Sequence, residues 1–479
     1  TPSCGGVAAN IEASGNKQHI VAKGNISRFD YNKYSFRNIK IDGSYTPAGI
    51  KGLASINDPN MRVNVDGDYA FASKKYDVNA HIKHLQPSIL GVKMSDRTYC
   101  LDDININTNN KGSDSYLDID APFVNLHTRG QYDLGTLYSS IQNIVADKLP
   151  TLPGIKKTKK RGDNDFTLQG NVYSTEILQR IFGIQLDISS PIHINGNLSE
   201  QNEELNLFVN APLFSYNGKP FHNGNIEVTT QGKELCMDAH VCQGLSFEMA
   251  PEYALRAKAC DNVLNTKVNY DNHSKKLPVK GFLDAETQFG KNEHGMTSIN
   301  MNVKPSHIML GDTRWDVISS NINYVKNHLS VDNFTVKHDN QHIIVNGKAS
   351  PSPEDSIVAD LKDVDVAYIL NLVNFHSVDF AGKATGKAIV KSLFNQPDAY
   401  AKLDINDFLF ENGPLGVLHA FVNYNKVDEQ IDIKAVADED KGNQTIIDGY
   451  VSPKRNYIDL GITAVGTNMK FMESFCGSV

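Results

Sequence analysis

Apolar and polar residues alternate with period two along most of this chain. The clearest runs are Val63 and Val65; Leu205, Leu207 and Val209; Ile343 and Val345; Leu403 and Ile405; Ile431 and Ile433; and Ile458, Leu460 and Ile462. Most intervening residues are Asn, Asp or another polar type. Successive side chains of a strand point to opposite sides, so each run predicts a strand with one apolar and one wet face. Helical periodicity is confined to four short stretches. Leu134, Leu137, Tyr138, Ile141 and Val145 form one stripe over 134–149, before Pro150. Ile177, Leu178, Ile181 and Phe182 form a second behind Ser174 and Thr175; Val366, Ile369, Leu370 and Val373 a third; Met469, Met472 and Phe475 a fourth. Helices this short need a docking partner, and the expectation is that they cover the apolar side of the sheet.

One unit occurs twice. Residues 341–375 and 444–475 each run from an apolar strand through Gly to a Ser-Pro pair (Ser350-Pro351, Ser452-Pro453), a second strand and a helical pattern. Gly347 and Gly449 anchor the copies, 449 − 347 = 102 residues apart. Such self-similarity implies an array of stacked units. A shorter apolar-x-Gly motif recurs at Gly43, Gly67, Gly170, Gly196, Gly347, Gly382 and Gly449, where glycine in a strand predicts a bulge or bend that would curl the sheet into a trough. Ala121-Pro122 and Ala211-Pro212 both follow an alternating strand, and are expected to mark the same corner in two units. Breaks at 150–165 and 270–297, together with the start of the repeated unit at 341, divide the chain into segments 1–150, 151–270, 271–340 and 341–479.

Composition narrows the function. With 47 Lys+Arg against 55 Asp+Glu, no basic excess favours nucleic acid. Mean hydropathy is −0.36, and no apolar run approaches the roughly 20 residues of a membrane-spanning helix. The six cysteines (Cys4, Cys100, Cys236, Cys242, Cys260, Cys476) lack Cys-x-x-Cys spacing and read as isolated buried thiols. The histidines form no His-x-x-x-His pair on a supporting helix or strand. No nucleophile elbow, phosphate loop or dinucleotide fingerprint is present, so no catalytic, cofactor-binding or metal residue is assigned and the chain is not expected to be an enzyme. Asp438–Asn443 lacks the bidentate glutamate of a calcium loop and reads as an acidic hairpin turn. Lys156, Lys157, Lys159, Lys160 and Arg161 read as a solvated loop tip.

The apolar-x-Gly strands, the Ser-Pro units and the stretch 380–425 (FAGKATGKAIVKSLFNQPDAYAKLDINDFLFENGPLGVLHAFVNYN) resemble the TamB/AsmA-like envelope proteins in their Bacteroidetes-type form, most clearly over 340–479. The resemblance implies a mainly β fold: a long, repetitive, twisted U-shaped antiparallel sheet, a β-taco, with an apolar concave face and a few short helices. It further implies a periplasmic protein of a Gram-negative bacterium that conducts phospholipids between inner and outer membranes in support of outer-membrane biogenesis. The partners so implied are phospholipid acyl chains and an outer-membrane Omp85-type barrel, the latter through regions absent from this chain. An N-terminal inner-membrane tether is expected to lie outside the sequence, which is taken as an internal fragment. About 30 strands at ~4.8 Å each would make a trough on the order of 150 Å long. The candidate groove lining is Val63, Val65, Leu205, Leu207, Val209, Ile343, Val345, Leu403, Ile405, Ile431, Ile433, Ile458, Leu460 and Ile462. Two other classes compete. One is a scaffold for outer-membrane protein insertion that pairs through edge strands; the other is a glycan-binding or glycan-cleaving solenoid, which would gather aromatic and acidic residues on one exposed face.

Overall fold

The computed structural model describes residues 4–159, 162–246, 250–372, 379–411, 413–440, 443–452, 455 and 457–466. Among them are 31 strands and three α-helices, α1 (Leu137–Lys148), α2 (Glu176–Phe182) and α3 (Val366–Leu372). The mainly β, repetitive architecture predicted from the period-two pattern is what forms, and its strands pair antiparallel, as the resemblance implies. No helix among the described residues is long and apolar enough to cross a membrane. The chain divides into two compact units, one of residues 1–150 with 154–261 and the other of 151–153 with 262–479.

In the first unit, hairpin follows hairpin. Cys4–Asn16 pairs with His19–Tyr31, which pairs with Tyr34–Thr46, and the order continues along the chain. The strand Asp165–Val172 rejoins Val124–Gln131 across the excursion that contains α1. Pro122 and Pro212 do not mark one corner, contrary to the sequence expectation. Pro122 lies in the turn between Tyr116–Ala121 and Val124–Gln131, whereas Pro212 lies inside the strand Glu204–Tyr216. On one side that strand pairs with Ile192–Ser199 as far as Asn210 and with Leu186–Ile188 only from Phe214, so Pro212 falls where no ladder bond needs its missing N–H.

α1 also departs from its predicted stripe. Leu134, Tyr138 and Ile141 are exposed, and the flank that docks carries Ser140, Asn143 and Ile144. A buried polar network selects that flank. Ser140 Oγ donates to Glu200 Oε2 at 2.8 Å, and Asn164 Nδ2 donates to Ser140 Oγ at 2.9 Å and to Thr136 Oγ1 at 3.1 Å. Asn143 Oδ1 accepts the Thr158 amide at 2.7 Å. Buried polar groups need partners, and the partners lie on this side of the helix. For α2, Ser174 Oγ accepts the Glu176 amide at 3.3 Å, whereas Thr175 Oγ1 turns away to the Leu186 carbonyl.

In the second unit the doubled motif gives the same pair of antiparallel strands twice, while Pro453 of the second Ser-Pro pair lies outside the described residues. The pairs are Gln341–Ala349 with Ser356–Asp365, and Asn443–Ser452 with Tyr457–Val465. Ser350 and Ser452 are both buried. The first copy continues into α3, whose Ala367 amide is capped by Asp365 Oδ1 at 3.0 Å. Val373, Met469, Met472 and Phe475 lie outside the described residues, as does Cys476. The glycine motif divides. Register runs unbroken through Gly43, Gly67, Gly170, Gly196 and Gly449, while Gly347 and Gly382 adjoin bulges.

Candidate functional site

Register determines which side chains share a face, and here it lines up apolar residues from strand to strand. In the first unit Ile41, Ala54, Val65, Ala80, Ile106, Ile119, Leu126, Gly170, Ile194, Val209, Ile226, Ala239 and Leu255 are successive cross-strand partners. At ~4.8 Å per strand this row extends on the order of 60 Å. Parallel rows flank it on the same face. Val63 stands between Ile56 and Ile82, Leu207 between Gly196 and Val228, and Leu205 opposite Leu198.

The opposite face is polar through an equally continuous row: Asn64, His81, Asn105, Asp120, Asn125, Asn171, His193, Asn210, Asn225 and His240. Ion pairs such as Lys23–Asp42 (2.8 Å) and Arg256–Asp238 (2.9 Å) also lie on that side. The separation of polarity is thus a property of the paired sheet as well as of single strands.

Where hydroxyls enter the apolar face they are satisfied locally. Thr108 Oγ1 donates to the Tyr116 carbonyl at 3.0 Å, and Thr128 Oγ1 to the Leu117 carbonyl at 3.2 Å. Tyr132, hydrogen-bonded to Thr108 beside this face, is buried, and burial pushes its phenol well above the usual tyrosine range.

Part of the face is open. Ile20, Ile41, Tyr45, Ile50, Ala54, Val65, Tyr69 and Val78 border a trough of about 410 Å³, in which Gly43, Gly52 and Gly67 sit side by side as the floor. Tyr45, Ile50 and Tyr69 remain exposed at its rim. One end of the same face is closed by the turn Pro87–Leu90, which packs Ile89 against Ile39 and its neighbours Ile26 and Ile56.

The second unit repeats the arrangement. Ile343, Leu361, Gly386, Leu403, Ala420, Ala435, Ile447 and Ile462 form one row; Val345, Ala359, Ala388, Ala401, Val422, Ile433, Gly449 and Leu460 form the next. Ile431 and Ile458 flank Val451, and Ile405 lies between Ala384 and Leu418. All fourteen candidate lining residues therefore fall on the apolar face of their own unit. Val63 and Ile405 are buried, and the other twelve are half-buried. Here a helix covers part of the face: Val366 and Ile369 of α3 join a cluster with Ile405, Phe408, Leu415 and Ile447.

Sequence reasoning missed the device that bends these strands. Asn38, Asp103, Asn333, Asp363 and Asp407 all adopt positive φ of 47° to 56° within or beside strands. Each precedes an apolar-x-apolar triplet, as in Asn38-Ile39-Lys40-Ile41 and Asp407-Phe408-Leu409-Phe410. Asn and Asp tolerate the left-handed conformation, and a bulge there turns the next side chain inward. Ile39, Ile104, Val364 and Phe408 are accordingly buried.

Among the described residues no three His, Cys, Asp or Glu side chains gather as a metal site. No protein-family model, curated protein or solved structure matches the chain.

Proposed function

We propose that the apolar face of each unit carries phospholipid acyl chains, and that the protein serves as a lipid conduit in a cell envelope, in the manner of the TamB/AsmA-like proteins its sequence resembles. The observation that carries this reading is the succession of apolar residues across consecutive strands, half-buried along most of the first unit's row and buried where α3 and its cluster cover Ala420, Ala435 and Ile447 in the second. A folded protein that sealed its core would bury such rows throughout; the side chains left half-exposed from strand to strand offer a surface for another apolar body. Each methylene of an acyl chain laid along it gains about 0.8 kcal/mol, while the headgroup stays at the wet rim. Rows of Val, Ile, Leu and Ala provide no deep local minimum, so a chain can slide from strand to strand. The mechanism is passive conduction without turnover chemistry, and α3 is a cover over one section of the path. By the same resemblance the setting is the periplasm, with an Omp85-type barrel as partner at the outer membrane.

Mass spectrometry of an organic extract tests this reading on protein purified from a bacterial envelope and washed free of detergent. Several phospholipids per chain are expected. A folded protein that releases none would overturn it and bring forward the edge-strand scaffold.

A further inference from the structure

The polar face of the first unit carries a second concavity. A trough of about 1050 Å³ runs over the strands Val124–Gln131, Asp165–Val172 and Ile192–Ser199, and reaches Glu204–Tyr216. A neighbouring one of about 470 Å³ continues over the next strands, and the two share Asn195 and Phe208. Across the junction His127, Gln169, Asn195, Phe208 and Glu227 are successive cross-strand partners on one face. Phe208 interrupts an otherwise polar row, and it is 38% exposed where a packing role would bury it.

The next two residues along the row on one side, Asn195 and then Gln169, are equally unspent. Among the described residues no side chain or backbone group hydrogen-bonds the exposed amides of Gln169 and Asn195, although other polar groups nearby are engaged. His127 Nδ1 lies 2.8 Å from Asp118 Oδ1, and Asn197 meets Asn206 at 3.1 Å.

The geometry points to a binding site for a linear oligosaccharide, with Phe208 as the platform for a sugar ring and Gln169 and Asn195 as its hydrogen-bonding partners. An amide presents both donors and an acceptor, which matches vicinal hydroxyls. An aromatic face takes the apolar C–H side of a pyranose. Neighbouring strands stand ~4.8 Å apart, close to the advance per ring of an extended β-1,4-linked chain. Charge excludes the anionic alternatives. Asp165 and Glu204 border the trough, and the bordering Arg129 is committed to Asp118 through both terminal nitrogens, at 2.5 and 3.1 Å. This site lies on the side opposite the proposed lipid path and does not depend on it.

The test is saturation-transfer NMR and calorimetry with cellohexaose, chitohexaose and maltohexaose on the whole protein. At least one is expected to bind, with saturation concentrated on ring C–H protons. Phe208→Ala should weaken binding about tenfold, Phe208→Tyr should retain it, and the double change Gln169→Ala with Asn195→Ala should abolish it. Because Phe208 is exposed, the variants should melt with the wild type and keep any co-extracted lipid. Binding by none of the three sugars at millimolar concentration, or binding indifferent to Phe208→Ala, would overturn the assignment.

Discussion

Gly449 offers a test of how the apolar face is held together. It anchors the second copy of the repeated unit and pairs with Ile433 on one side and Leu460 on the other. Its φ is +153°, and a Cβ placed on it would lie 2.0 Å from the Asp459 carbonyl oxygen and 2.9 Å from the Leu460 Cα. Gly449→Ala therefore forces the neighbouring strand away. Strained backbone of this kind costs ~1–3 kcal/mol, and loosening one ladder hydrogen bond adds ~1 kcal/mol. The sum is about 2–4 kcal/mol. Gly461 is the control, since it pairs with Asp448 on the next strand. A Cβ there meets only the Asp448 oxygen, at an ordinary 3.4 Å, and no positive φ is involved. Gly461→Ala should be neutral or stabilise by ~0.4–1 kcal/mol through the unfolded chain. A repeat array does not unfold in one step, so the readout is native-state hydrogen exchange on Asn443–Ser452 and Tyr457–Val465. Gly449→Ala should speed exchange there by roughly 30- to 1000-fold. Unchanged protection in that variant, or an equal loss in Gly461→Ala, would refute the reasoning. Gly347, with φ +131° and a Cβ 2.2 Å from the Ser356 oxygen, should behave as Gly449 does.

Two further expectations concern the first unit. Ile144 is 2% exposed on the docked flank of α1, so Ile144→Ala should cost ~2–4 kcal/mol by native-state hydrogen exchange of α1 and the strands it packs on, whereas Tyr138→Ser, at 74% exposure, should stay within ~0.5 kcal/mol. The phenol of Tyr132, raised by burial, stays protonated in the folded protein after an unfolded chain has ionised. Stability from this group is complete below the ordinary tyrosine pKa of about 10 and is lost as pH rises above it; Tyr132→Phe should flatten that part of the alkaline unfolding profile.

Much of the architecture is legible in the sequence because a strand's side-chain period is an integer. Once Leu403 and Ile405 share a face, antiparallel pairing carries that face to Ala420 and Leu418. The doubled Ser-Pro unit is legible for the same reason, since a copied sequence makes a copied hairpin. What escaped notice depends on contacts distant in the chain. Leu134, Tyr138 and Ile141 make a persuasive helical stripe, but Glu200 and Asn164 supply the hydrogen bonds that orient α1 the other way. Pro212 resembles Pro122 locally, and only the gap between two partner strands explains it. The bulges were hidden because an Asn or Asp at the wet parity of a strand looks ordinary until its φ is known. The row of Gln169, Asn195 and Phe208 is similarly dispersed over three strands and becomes one surface only when they pair.

The central claim is that one face of the sheet carries acyl chains and the other does not. Photo-reactive residues placed singly at Val65, Leu207, Val345, Leu403, Ile433 and Leu460, and on the opposite face at Lys402, Asp404, Asp432 and Asp459, test it most directly in cells. Phospholipid adducts should form at the first set and be absent from the second; equal capture at both, or capture at neither, would contradict the account.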